Sequence, residues 1–328
     1  MQMQRRRLLA GLSAAGLLAA PLCRAMAAQA DWPRQPLRLV LPFAAGGPTD
    51  VVARALALRA GEVLGQQILV ENRTGASGNI ATEYVARAAP DGYTALYHSS
   101  GLAITPALYQ RLNFDPLEDF TPVGQVATIP AVLMVNPTLP VRTIQEFVEH
   151  LRANPNGLSY GTGGVGNITH LAVALFLQAN ELEAVHVPYK GTAPAMTDLI
   201  GGRTQFMLDA VSSALPYIQD DRVRALALTS QEPMPELPGV PTFDGSVMPG
   251  FVAPTWHAVM LPAGTPDAVV ARWGEALAAA AEDPALVSQF AAQGVALQAP
   301  SSQQFGPYFA AELERWDQAA RAAGIERE

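Results

Sequence analysis

The chain has 328 residues, of which 49% are apolar and 15% charged. That balance excludes a disordered protein and allows a sizeable core, and the length favours two lobes over one. Twenty arginines and a single lysine, Lys190, stand against 29 acids for a net charge of −8, with no basic stripe of the kind nucleic acid selects.

The first residues read as an export signal. Arg5, Arg6 and Arg7 form a basic start, Leu8 to Leu22 is mostly apolar, and Ala25-Met26-Ala27 offers small residues before a cut near Ala27. The apolar run is too short for an ordinary membrane span. General secretion and twin-arginine export both accept such a start. Removing residues 1–27 takes away four arginines, the sole cysteine (Cys23) and no acid. The mature chain then carries 17 cations against 29 acids, or −12, and no thiol. It is expected to be soluble and to work outside the cytoplasm, without disulfides or cysteine metal sites.

The mature chain reads as repeated strand, glycine loop and helix. Pro36 to Phe43 is strand-like, Ala44 to Pro48 a loop, and Asp50 to Leu64 an amphipathic helix. Gln67 to Glu71 is a second strand, followed by the loop Asn72 to Gly78 and a helix from Asn79 to Ala88. The turn Pro90-Asp91-Gly92 precedes a strand from Tyr93 to His98. A second set starts with a strand at Ala131 to Val135, a helix at Thr143 to Asn154 and a short strand at Leu158 to Tyr160. The glycine loop Gly161 to Gly166 then leads into a helix from Asn167 to Ala179. Strands at Ala184 to Tyr189, Thr204 to Leu208 and Val223 to Leu228 follow, with a helix at Ala193 to Gly201. Pro233 to Pro254 reads as a loop or return linker, and the remainder is largely helical. This alternation predicts α/β units with sites beyond the strand C-termini. The predicted architecture is two lobes, each a mostly parallel sheet flanked by helices. Lobe 1 takes residues 28–130 and 254–328, and lobe 2 takes 131–253.

Gly161-Thr162-Gly163-Gly164-Val165-Gly166 matches G-x-G-x-x-G, but a dinucleotide site also wants an acid at the end of the next strand. That strand ends in Tyr189-Lys190, so no nucleotide cofactor is expected, and none of another kind. What remains is a loop that lets backbone approach a ligand, followed by a helix N-terminus with unpaired N–H groups suited to an anion. Ala44 to Asp50 builds the same kind of element in the first lobe. There Pro48 suits the first helical position, and Asp50 either caps the helix or meets the ligand.

His98, Ser99 and Ser100 follow a strand, while His170 and Asp209 lie in the other lobe. A hydrolase needs a serine activated by histidine, yet no G-x-S-x-G elbow or local spacing links these residues. The five histidines show no paired metal-ligand spacing, so no metal is expected. Lys190 pairs either with an anionic ligand or with a structural acid. Asp209 either lines the cleft or caps the turn after its strand. Trp256 reads as a packed aromatic in the return linker.

At these residues the sequence resembles the solute receptors of tripartite tricarboxylate transporters, the Bug or TctC-like receptors. The matching pieces are Pro42 to Asp50, Glu71 to Gly78, Pro90 to Thr94, Tyr160 to Leu171, Val187 to Gly191 and Leu261 to Pro266. They run in order along essentially the whole mature chain. The resemblance implies a two-lobed Venus-flytrap binding protein without enzyme activity, a monomer that delivers a small organic carboxylate to a large and a small membrane subunit. Carried over by position, it implies that Phe43, Ala45, Gly46, Gly47, Thr49 and Asp50 grip a carboxylate from one lobe. Thr162, Gly166, Asn167 and Ile168 would grip it from the other, with Ser99 and Asp209 lining the same cleft. Asn167 stands where the family more often has serine. A secreted hydrolase and a receptor that signals to a membrane sensor are the competing classes.

Overall fold

The computed structural model describes residues 32–43, 45, 46, 48–189, 191–322 and 324–327. The expected signal segment, Gly47 and Lys190 lie outside these described residues.

Lobe 1 is a six-stranded sheet in the order β11-β4-β10-β3-β1-β2. Its strands are β1 (Leu37–Leu41), β2 (Ile68–Asn72), β3 (Thr94–Ser99), β4 (Phe120–Ile129), β10 (Thr255–Pro262) and β11 (Ala296–Leu297). Lobe 2 is a five-stranded sheet in the order β7-β6-β8-β5-β9. It comprises β5 (Ala131–Val135), β6 (Ser159–Thr162), β7 (Val185–Pro188), β8 (Phe206–Ala210) and β9 (Arg224–Leu228). Pairing is parallel for β2-β1-β3 and for β7-β6-β8, where helices make the return path. The strands at the crossings, β4 with β10 and β5 with β8 and β9, pair antiparallel. Each sheet is therefore mixed rather than mostly parallel, because the chain leaves lobe 1 along β4 and comes back along β10.

On one face of the first sheet, α1 (Pro48–Leu64) and α8 (Asp267–Ala281) bury Val52, Leu56, Trp273 and Leu277. On the other face lie α2 (Asn79–Ala86), α3 (Gly101–Leu108) and α10 (Ser302–Ala322). That core continues without a break into lobe 2 through Leu133, Phe147, Phe176 and Phe206. It there meets α4 (Ile144–Ala153) and α5 (Ile168–Ala179), while α6 (Thr192–Ile200) and α7 (Val211–Gln219) cover the opposite face. Local sequence sets the helix starts. Thr143 and Glu146 form a reciprocal capping box at α4, and Asp283 caps α9 (Pro284–Ala291), with Pro284 at its first position.

Two connections link the lobes, one at Pro130 and one at residues 229–254. Thr229, fully buried, ties them together: its hydroxyl accepts from the Ala131 N–H at 2.8 Å, and its carbonyl accepts from the Ala253 N–H at 3.1 Å. Trp256, expected in the linker, is instead the second residue of β10 and fully buried. Its indole N–H and that of Trp316 each donate to buried Glu312 at 3.1 Å, which pins α10 against the hinge. Arg315 pairs with the same carboxylate at 3.0 Å, so the buried charge is compensated.

Candidate functional site

Residues at or just beyond the C-terminal ends of β1, β3 and β6 line one cleft of about 390 Å³. This is the crevice that open α/β sheets offer to ligands. Lobe 1 contributes Pro42 and Phe43, the turn with Ser77 and Gly78, the run His98 to Gly101, and Ile104, Thr105 and Leu108 of α3. Lobe 2 contributes Gly163, Val165, Gly166, Asn167 and Ile168. The walls meet closely: a Cβ on Gly166 would lie 2.7 Å from Leu108 Cδ1, and its φ of +71° also favours glycine.

None of the described lining residues is Arg, Lys, Asp or Glu. His98 is the one titratable lining group with a resolved shift, and burial pulls its pKa down to about 4, so the ring is neutral at physiological pH. The described lining therefore offers hydroxyls, backbone amides and helix N-termini, groups suited to an anion.

In lobe 2 the glycine loop is braced from behind. Asn167 caps α5 by accepting from the Thr169 N–H at 3.0 Å, and its amide nitrogen has no bond among the described residues. The Gly163 N–H donates to Thr169 Oγ1 at 3.0 Å. The Gly166 N–H donates to His170 Nδ1 at 3.2 Å. His170 in turn stacks on His186, with ring centroids 3.8 Å apart and planes 7° from parallel. Burial, and then the neighbouring ring, bring the His170 pKa down to about 4. Thr162 is fully buried behind the loop, with its hydroxyl 2.6 Å from His186 Nε2.

In lobe 1 the corresponding loop folds on its own acid. Asp50 Oδ2 accepts from the Gly46 N–H at 2.9 Å and from Arg54 Nε at 2.8 Å. Its Oδ1 accepts from Asn72 Nδ2 at 2.8 Å, and the same amide also donates to the Phe43 carbonyl at 2.9 Å. The hydrogen bond from Arg54 leads these effects and, against the opposing pull of burial, holds the Asp50 carboxyl at about 2.

The expected site residues thus divide. Phe43, Ser99, Gly166, Asn167 and Ile168 come together in the cleft. Ala45 and Gly46 are exposed, Thr49 Oγ1 sits 3.4 Å from His257 Nε2, and Asp50 is committed to its loop. Asp209 accepts from the Ala210 N–H and the Ser213 hydroxyl, each at 2.9 Å, which is the capping alternative. Burial raises its pKa. Among the described residues, no histidine ring links a serine hydroxyl to a carboxylate. Ser77, Gly78, His98, Ser100, Gly101, Ile104 and Thr105 are cleft residues that sequence reasoning did not select. The only signal was the Ser99-Ser100-Gly101 run after a strand. The helix behind it has eight residues, Pro106 among them, and no amphipathic period long enough to read.

Comparison with known proteins settles the class. The family model described as "Tripartite tricarboxylate transporter family receptor" matches residues 52–325. The chain belongs to this family. A protein of Pseudomonas sp. strain P51, named for the tcbD-tcbE intergenic region, is 38% identical over 313 residues, covering 95% of this chain and 92% of that one. The solved structure of R. palustris Rpa4515 with adipate superposes with a TM-score of 0.79 at 34% identity, covering 90% of this chain and 100% of the other. The periplasmic binding protein BugD superposes at 0.76 with 35% identity, again covering 90% and 100%. This receptor and its relatives are solute-binding proteins rather than enzymes, with the two-lobed α/β fold of periplasmic receptors.

Proposed function

We propose that this receptor works as a monomer in the periplasm and captures a small carboxylate-bearing organic solute in its cleft. It delivers that solute to a tripartite tricarboxylate-type transporter with a large and a small membrane subunit. The lobes that close on the solute are residues 28–130 with 254–328, and residues 131–253. One observation carries this reading: a cleft without charged side chains among the described residues, whose two walls come from different lobes and present helix N-termini. A helix N-terminus contributes up to ~2 kcal/mol to a partly buried anion, and a hydrogen bond to a charged group about 1.5–3 kcal/mol. Two termini and a few such bonds reach the ~8 kcal/mol of a micromolar dissociation constant without an arginine clamp. The adipate held by the solved relative supports the carboxylate chemistry.

In this reading Phe43, Ser99, Gly166, Asn167 and Ile168 touch the solute. Ala45, Gly46, Thr49 and Asp50 shape the first wall, and Thr162 and Asp209 brace the second lobe. Native mass spectrometry of freshly purified protein tests the function. A bound small organic acid, released on unfolding, is the expected result. Protein that carries no acid, and whose radius of gyration stays unchanged across a panel of saturating carboxylates, contradicts it.

A further inference from the structure

The lobe-2 loop leaves a small set of donors open. Of the N–H groups from Gly163 to Thr169, five already have acceptors in the chain: Gly163 on Thr169, Gly164 on Thr162, Gly166 on His170, Asn167 on the Gly164 carbonyl and Thr169 on Asn167. The Val165 and Ile168 N–H groups have none among the described residues, and both residues line the cleft. Two glycines turn the chain here, Gly164 with a φ of +133° and Gly166 with a φ of +71°. Each is held through one ring of a stacked pair. The Gly166 N–H donates to His170 Nδ1 at 3.2 Å. The Gly164 N–H donates to Thr162 Oγ1 at 3.3 Å, and that hydroxyl lies 2.6 Å from His186 Nε2. The two rings lie face to face, centroids 3.8 Å apart, although His170 comes from α5 and His186 from β7. Tyr160 of β6 stacks on His186 at 5.0 Å, and Phe206 of β8 backs Tyr160 at 5.3 Å. To accept from Gly166, His170 needs an unprotonated Nδ1, and burial favours that form.

Resting on the receptor reading above, we infer that the His170–His186 stack is the positioning unit of the lobe-2 loop. Neither ring is placed on the ligand. His170 acts through Gly166, and His186 acts through Thr162 and Gly164. Together they fix both positive-φ turns, and this leaves the Val165 and Ile168 N–H groups and the Asn167 amide as the loop's open donors. When either turn is released, the loop no longer holds those donors in one arrangement. Affinity then falls although every residue that lines the cleft is still present.

Amide hydrogen exchange by NMR on the unliganded protein, with calorimetry using adipate as the probe, tests this on paired variants. His170→Leu removes the acceptor, whereas His170→Asn puts an amide oxygen near the former Nδ1. In His170→Leu, exchange at Gly166 is expected to speed up at least about tenfold, and adipate to bind at least about tenfold more weakly. In His170→Asn both should return to within about threefold of the wild type. Leucine fills a buried site better than asparagine, so a packing role alone predicts the opposite order. Should His170→Leu fail to fold, the same contrast is read at Gly164. There His186→Phe keeps a stacked ring without an acceptor, and His186→Gln keeps a hydrogen-bonding group for Thr162. Equal exchange within a pair, equal affinity within a pair, or a larger loss in the asparagine or glutamine member would each overturn the inference. Exchange is read without a ligand, so its outcome stands apart from the receptor reading, which the mass-spectrometric test decides.

Discussion

In lobe 1 the loop after β1 wraps its own carboxylate: the Gly46 N–H, Arg54 and Asn72 all bond to Asp50, which is 2% exposed. In lobe 2 the loop after β6 has no acid. There Asn167 uses its oxygen to cap α5, and its amide nitrogen has no bond among the described residues. Both loops join a strand to a helix through glycines, so both satisfy the local requirement for an anion site. The difference is whether the chain has already supplied the anion. Where it has, the loop is bonded to its own acid; where it has not, the helix N-terminus meets no acid of the chain among the described residues.

The strongest challenge to both loops together is acid. Burial holds His98 and His170 at about 4 and His257 at about 3. His98 lines the first wall, His170 lies behind Gly166, and His257 lies beside Thr49. Each takes up a proton less readily folded than unfolded, so the unfolded chain gains protons first once the pH drops below about 6.5. Stability is full above that value and declines as the pH falls, until the pH passes below about 3, the lowest of these values. Unfolding free energies from urea titrations between about pH 7 and about pH 4.5 should fall by several kcal/mol in total. A flat profile would mean that the rings take up protons as readily in the fold as in the unfolded chain.

Gly166→Val attacks the second loop alone. With a Cβ placed 2.7 Å from Leu108 and a positive φ to maintain, the walls cannot meet, and affinity for a bound acid should drop at least about a hundredfold by calorimetry. Leu108→Ala in the same chain should recover part of that loss. Failure of the double variant to recover any would place the defect in backbone strain instead of the contact.

Asp50→Ala attacks the first. It leaves Arg54, Asn72 and the Gly46 N–H without their common acceptor, and should lower unfolding free energy by about 2–3 kcal/mol. Unchanged stability would show that the carboxylate is available to a ligand after all. Asn167→Ala gives the smallest and most selective change. Roughly tenfold weaker binding is expected from the lost bond to the solute, with about 1 kcal/mol of stability from the lost cap. Equal binding would remove Asn167 from the site.

Most of the framework was legible because it rests on short-range signals. Glycine loops, prolines and apolar runs placed β1, α1, β6 and α5 within a residue or two of their observed bounds. Two kinds of information were not local. The mixed sheets arise from β4 and β10 in lobe 1 and from β5 against β8 and β9 in lobe 2, pairings between residues far apart in the chain, and nothing in these strands announces its direction. The cleft face of α3 depends on β3 ending beside lobe 2, so Ser100 and Ile104 acquire their meaning only in the folded chain. Asp50 carried both of its readings in sequence. Only the positions of Arg54 and Asn72, the latter 22 residues away, separate a loop-forming acid from a ligand-binding one.

The most direct test of the receptor account is a crystal structure of the protein with a bound organic acid. The account predicts a carboxylate oxygen within hydrogen-bond distance of the Asn167 amide nitrogen or the Ile168 N–H, with Asp50 still bonded to Gly46, Arg54 and Asn72. An acid seated in the 45–50 loop with Asp50 displaced, or bound outside the cleft altogether, would contradict it.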